Sequence, residues 1–282
     1  MHRLTLPSPL VSVAWLADHL HHPDLLVLDA HMAPPGSTEN GPVVQIPGAR
    51  RFDFDGEIKD AANPLPHMMP SPAQFERQVR ALGVNNDSLI VVYDRLGIFS
   101  AARGWWMFRA MGHAQVAVLD GGLPAWQAAG HAVAAPRPYA GATGNFVAAQ
   151  QPELFCDADA VQRVLTDGSR PVLDARSAER FAGQAAEPRP GVRSGHMPGA
   201  LNLPFADLLD NGRMKPVAEL QAQFAARLAP EAKPVFSCGS GVTACILALG
   251  AELAGWQGLT VYDGSWSEWG SDLSRPVVQD PV

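Results

Sequence analysis

The stretch Pro234-Val-Phe-Ser-Cys-Gly-Ser-Gly-Val-Thr-Ala-Cys-Ile-Leu-Ala-Leu-Gly250 reads as a strand end, a tight loop and a helix start. Val235 and Phe236 suit a short buried strand. Gly239 and Gly241 open the backbone to a turn that other residues resist. From about Val242 the residues are apolar on most sides, as in a helix packed into a core. Cys238 heads the loop. Backbone N–H groups of the loop, and the N-terminus of the helix behind it, point at the sulfur. That field favours an anion, so the Cys238 thiol is expected to ionise to the thiolate more easily than a free one. Such a thiolate acts as a nucleophile or carries an extra sulfur as a persulfide. A buried structural cysteine is the competing reading. A phosphate loop is disfavoured, because no Gly-Lys-Ser/Thr follows.

Working outward from this stretch, the same features occur twice in the chain. Leu26-Val-Leu-Asp-Ala-His31 recurs as Pro171-Val-Leu-Asp-Ala-Arg176, and Ile46-Pro-Gly-Ala49 as Met197-Pro-Gly-Ala200. Val91-Val-Tyr-Asp94 recurs as Val235-Phe-Ser-Cys238, with Gly97 matching Gly241. Val118-Leu-Asp-Gly-Gly122 recurs as Val261-Tyr-Asp-Gly264. The offsets are 145, 151, 144 and 143 residues, so order and spacing are both kept. Two copies of one domain are expected, over residues 1–133 and 151–282. A linker over 134–150 opens on the Pro/Gly/Ala stretch Ala134–Gly144.

Within each copy, short apolar strands alternate with helical patterns. Ser12 caps a helix to about Leu20, and Asp157 one to about Leu165. Strands are expected near residues 25–28, 89–93 and 114–119, and again near 172–173, 235–237 and 259–262. This alternation predicts an α/β fold in which each copy is a parallel sheet covered by helices on both faces. Sites in such sheets form at the carboxyl ends of strands, where Cys238 falls. Asp94 occupies the matching place in the first copy. A carboxylate cannot take up sulfane sulfur, so that copy is expected to be catalytically silent and to close the site from one side.

A net charge of -7 argues against nucleic acid, which seeks a basic face. Three cysteines make no disulfide framework and suit a reducing compartment. The start, Met1-His-Arg-Leu-Thr-Leu-Pro7, has no long apolar run. No stretch is long enough to span a bilayer, so a cytoplasmic chain without membrane contact is expected. No Cys/His cluster has metal-ligand spacing, and no metal or cofactor is expected.

Cys238-Gly-Ser-Gly-Val-Thr-Ala244 resembles the active-site loop of the 3-mercaptopyruvate sulfurtransferases, within the rhodanese superfamily. The resemblance extends over nearly the whole chain through Gly195-His-Met-Pro-Gly-Ala200 and Tyr262-Asp-Gly-Ser-Trp-Ser-Glu-Trp269. It implies two tandem rhodanese-like domains. Thiosulfate sulfurtransferases of the superfamily usually carry basic residues just after the Cys, where Gly239 and Ser240 stand here. The related phosphatases carry an Arg six residues after it, where Ala244 stands.

The segment Glu179-Arg-Phe-Ala-Gly-Gln-Ala-Ala-Glu-Pro-Arg189 is similar to that family's substrate loop. The resemblance assigns Arg180 and Arg189 to the substrate carboxylate and carbonyl, a task suited to guanidinium forks. Gly239, Gly241, Val242 and Thr243 are assigned to substrate binding through the loop. Ser240 stands two residues beyond Cys238 and can hydrogen-bond the transferring sulfur or the carbonyl. The resemblance joins it to His67 and Asp55 in a proton relay. His196, Cys156, Cys245, Trp266 and Trp269 are read as structural. The expected reaction moves sulfur from 3-mercaptopyruvate through a Cys238 persulfide to cyanide, a small thiol or thioredoxin. Thiosulfate as donor, and a non-catalytic persulfide carrier, are the alternatives.

Overall fold

The computed structural model describes residues 4–34, 36–37 and 43–280. The chain divides into two compact units. The first comprises the described residues of Met1–Ala61, Met69–Gln151 and Asn211–Arg213; the second comprises those of Ala62–Met68, Pro152–Asp210 and Met214–Val282.

The first unit runs β1 (Leu10–Val11), α1 (Val13–His19), β2 (Leu25–Asp29), β3 (Arg50–Arg51), α2 (Pro72–Ala81), β4 (Leu89–Tyr93), α3 (Ala101–Ala110), β5 (Val116–Leu119) and α4 (Gly122–Ala128). The second runs β6 (Phe155–Cys156), α5 (Ala158–Asp167), β7 (Val172–Asp174), α6 (Ala178–Ala182) and β8 (Leu201–Asn202). The short strands β9 (Leu209–Asp210) and β10 (Arg213–Met214) pair as a ribbon. Then come α7 (Val217–Ala225), β11 (Val235–Ser237), α8 (Ala244–Ala254), β12 (Thr260–Tyr262) and α9 (Ser265–Trp269).

Both five-stranded sheets are parallel throughout. Their orders are β1-β5-β4-β2-β3 and β6-β12-β11-β7-β8. These are the same order once the repeat offset is applied, so the internal repeat is a repeat of topology. The α/β reading stands. All residues of β2, β4, β7, β11 and β12 are buried, which is why those strands read as continuous apolar runs. Ser12 and Asp157 cap α1 and α5, accepting from the Trp15 and Ala160 N–H groups at 3.1 and 2.8 Å.

The middle strand of each sheet leads into a buried helix. In α8 only Glu252 and Leu253 escape full burial, so nearly every side must be apolar. Residues after 133 pack on the first unit: Ala134 pairs with Gln45, Phe146 is buried, and the Ala149 N–H donates to the Met111 carbonyl. No helix among the described residues is long and apolar enough to cross a membrane.

Candidate active site

Cys238 follows the carboxyl end of β11, which lies beside β7 with Ser237 opposite Asp174. Its side chain is buried, with 1% exposure. Gly241 adopts φ +74°, a conformation that a side chain would strain, and α8 starts at Ala244. Gly239 has no such φ. A Cβ there would stand 3.2 Å from Arg180 Nη2, a close approach to the end of a flexible side chain. The second glycine makes the turn, and the first lies beside the Arg180 guanidinium.

The Cys238 backbone is held from β12 and α9. Its N–H donates to Ser265 Oγ at 3.1 Å, and its carbonyl accepts from the Trp266 N–H at 2.9 Å. The Ser265 hydroxyl donates to the Tyr262 carbonyl at 2.8 Å and stands 4.0 Å from Cys238 Sγ. Gly239 is fixed likewise, its carbonyl accepting from the Ser267 N–H at 2.8 Å and hydroxyl at 2.6 Å. Ser265 has φ +50°, a left-handed backbone outside glycine. In the first copy the matching residue is Gly122, at φ +54°. Sequence reasoning passed over Ser265. The repeat sets this serine against Gly122, but the positive φ that distinguishes the position is not carried by residue type.

The first copy shows how many backbone donors this loop turns inward. The Asp94 carboxylate, fully buried, accepts four N–H groups: Leu96 and Phe99 at 2.8 Å, Ser100 and Ala101 at 2.9 Å. Burial pushes this carboxyl up, and the four donors oppose that shift. Offset by 144 residues, the donor positions become Ser240, Thr243, Ala244 and Cys245. Of these, the Cys245 N–H is taken by the Val242 carbonyl at 3.1 Å.

The two arginines expected at the substrate both lie by the loop. Arg189 Nη2 is 3.5 Å from Ser240 Oγ and 3.5 Å from His67 Nε2. These are long contacts, at the outer limit of hydrogen bonding. They nevertheless bring two further expected site residues to the Arg189 guanidinium. His67 is buried at 4% exposure, belongs to the second unit and holds φ +61°. Asp55 belongs to the first unit, in a turn after β3. Val242 and Thr243 complete the loop, Val242 buried and Thr243 half-buried.

Arg180 is bound by Glu187, through Nε at 3.2 Å and Nη2 at 2.5 Å. Glu187 was not singled out from sequence. It also accepts from Arg176 Nη1 at 2.8 Å, and its side chain is only 4% exposed. Arg176 is fully buried, clamps Asp174 at 2.7 Å and lies 4.2 Å over the Trp266 ring. Burial opposes its charge, but Asp174 and Glu187 more than offset that and hold its pKa above the usual range.

The residues read as structural pack accordingly. His196 is stacked on Phe181 at 3.9 Å and bonds its carbonyl at 2.9 Å. Cys245 is buried, its Sγ 3.3 Å from the Gly241 carbonyl. Trp266 and Trp269 belong to the core of the second unit. Cys156 lines a cavity of about 380 Å³ with Met68, Asp157, Arg163, Asp263 and Glu268. Burial pushes its thiol up to about 12.

A cysteine on a tight loop after the middle strand, in the second of two matching parallel sheets, defines a class of protein. The rhodanese-like domain family matches residues 12–129 and again 157–272. The chain belongs to the rhodanese family. It is 42% identical, over 96% of its length and 78% of the other's, to thiosulfate/3-mercaptopyruvate sulfurtransferase 1, mitochondrial, of Arabidopsis thaliana. It is 40% identical, over 96% and 98%, to the 3-mercaptopyruvate sulfurtransferase of Escherichia coli strain K12. The crystal structure of SseA from Escherichia coli, described as a 3-mercaptopyruvate sulfotransferase, superposes with a TM-score of 0.83. That match has 36% identity and covers 92% of this chain and 99% of the other.

Proposed function

We propose that this chain is a sulfurtransferase that takes sulfur from 3-mercaptopyruvate. The observation that carries this reading is the grouping at the Cys238 loop. Arg180 and Arg189 flank it, while Gly239 and Ser240 leave the sulfur without a basic side chain beside it in sequence. Two guanidinium forks suit one carboxylate and its neighbouring carbonyl. The names of the relatives support the same donor.

In this reading the Cys238 thiolate attacks the substrate sulfur. The S–S bond forms as the substrate C–S bond breaks, and the electron pair leaves with the carbon as the enolate of pyruvate. Loop N–H groups and Arg189 stabilise the enolate oxygen. A proton reaches the carbon by way of Ser240 and His67. A thiophilic acceptor then takes the outer sulfur of the Cys238 persulfide and returns the thiolate. Cyanide, a small thiol and thioredoxin all fit that chemistry, and the two half-reactions require ping-pong kinetics. The first unit, with Asp94 filling its own loop, performs no transfer. Three free thiols suit a reducing, cytoplasmic setting.

Steady-state turnover with 3-mercaptopyruvate and with thiosulfate, cyanide as common acceptor, tests the reading. A preference for mercaptopyruvate supports it. A preference for thiosulfate favours the donor that also appears in the Arabidopsis relative's name. Folded protein that turns over neither donor favours a persulfide carrier.

A further inference from the structure

We propose that Glu187 tunes the donor site to a single negative charge and so helps to select the donor. The inference rests on the mercaptopyruvate reading above. Glu187 lies between two guanidiniums, taking Arg176 Nη1 at 2.8 Å and the Nε–Nη2 edge of Arg180 at 3.2 and 2.5 Å. The near-complete burial of its side chain, in a loop of half-exposed and exposed residues, marks a built contact rather than a solvated charge.

Orientation is the first consequence. Glu187 occupies one edge of the Arg180 fork, and Nη2 of the same group stands 3.2 Å from where a Cβ on Gly239 would be. The opposite edge is left to receive a carboxylate at the loop. Charge is the second. Arg176, Arg180 and Arg189 bring three positive charges, and Asp174 and Glu187 bring two negative ones. With the Cys238 thiolate the site is balanced, and in a Cys238→Ser protein these five groups leave one positive charge, the complement of a monoanionic ligand. Without Glu187 they leave two, which favours a dianion such as thiosulfate. One unit of charge beside the bound ligand acts about twice as strongly on a dianion as on a monoanion.

The test uses the full chain carrying Cys238→Ser, which binds but does not take up sulfur. Calorimetry measures its affinities for pyruvate, a monoanion, and thiosulfate, a dianion. The same two affinities are measured after adding Glu187→Gln or Glu187→Asp. Glu187→Gln should shift the affinity ratio toward thiosulfate by about tenfold or more. Glu187→Asp keeps the charge and should keep the ratio, even where its shorter reach weakens both affinities. A Glu187 with a merely structural role would move both affinities by one factor under Glu187→Gln, and that result overturns the proposal. So does a shift under Glu187→Asp toward thiosulfate, which also decides the matter if the Glu187→Gln variant fails to fold. A parent protein that binds no pyruvate and, with Cys238 restored, turns over no mercaptopyruvate overturns the donor reading and this inference together.

Discussion

Ser265 holds the Cys238 backbone, the Cys238 N–H donating to Ser265 Oγ at 3.1 Å, and sets its hydroxyl 4.0 Å from Sγ. Ser265 holds φ +50° to make this contact, where the first copy has Gly122 at φ +54°. A left-handed backbone costs an ordinary residue about 1–2 kcal/mol. Ser265→Gly removes that cost and also two hydrogen bonds, each worth about 1 kcal/mol. The terms nearly cancel, so the melting temperature should hardly move. Sulfur transfer should fall about tenfold or more, because the hydroxyl beside the reacting sulfur is gone. Parallel thermal melts and kcat/KM values check this; equal loss of stability and rate would contradict it.

Arg189→Met should act on substrate binding. Its guanidinium touches both Ser240 and His67, at the loop that carries the reacting sulfur. Losing a charged hydrogen-bond donor costs about 1.5–3 kcal/mol, so kcat/KM for mercaptopyruvate should fall roughly 10–100-fold. Persulfide already formed should still pass to cyanide at the normal rate, which a stopped-flow half-reaction would reveal.

Arg176→Met should destabilise the second unit. It strands Asp174 and leaves Glu187 with Arg180 alone, their side chains being 1% and 4% exposed. Removing one partner of a buried ion pair costs about 3–5 kcal/mol. Urea unfolding followed by tryptophan fluorescence, with Trp266 as the stacked reporter, measures the loss.

Much of this was legible in the chain, and the exceptions have physical causes. Central strands such as Leu89–Tyr93 are long apolar runs because both sheet faces are covered. The edge strand Arg50–Arg51 has no such signal: two charged residues become a strand only by pairing with Leu28 and Asp29. Cys238 and its glycine loop announce themselves by residue type. Glu187 does not, because a glutamate in a polar loop reads as solvated until Arg176 and Arg180 enclose it. Ser265 is hidden for another reason, since its conformation, not its composition, sets it apart.

Cys156 should stay unreactive while Cys238 is modified. Burial pushes the Cys156 thiol up to about 12, so almost none is thiolate at pH 8. Iodoacetamide at pH 8, followed by peptide mapping, should leave Cys156 unlabelled. Its labelling should rise only as pH climbs toward that value.

The central claim is that Cys238 carries the sulfur. Intact-mass spectrometry after mixing the protein with 3-mercaptopyruvate, with no acceptor present, tests it most directly. The account predicts a gain of one sulfur atom, located at Cys238, one equivalent of pyruvate, and neither product from Cys238→Ser. Pyruvate released without a mass gain, or sulfur found on Cys156 or Cys245, would contradict it.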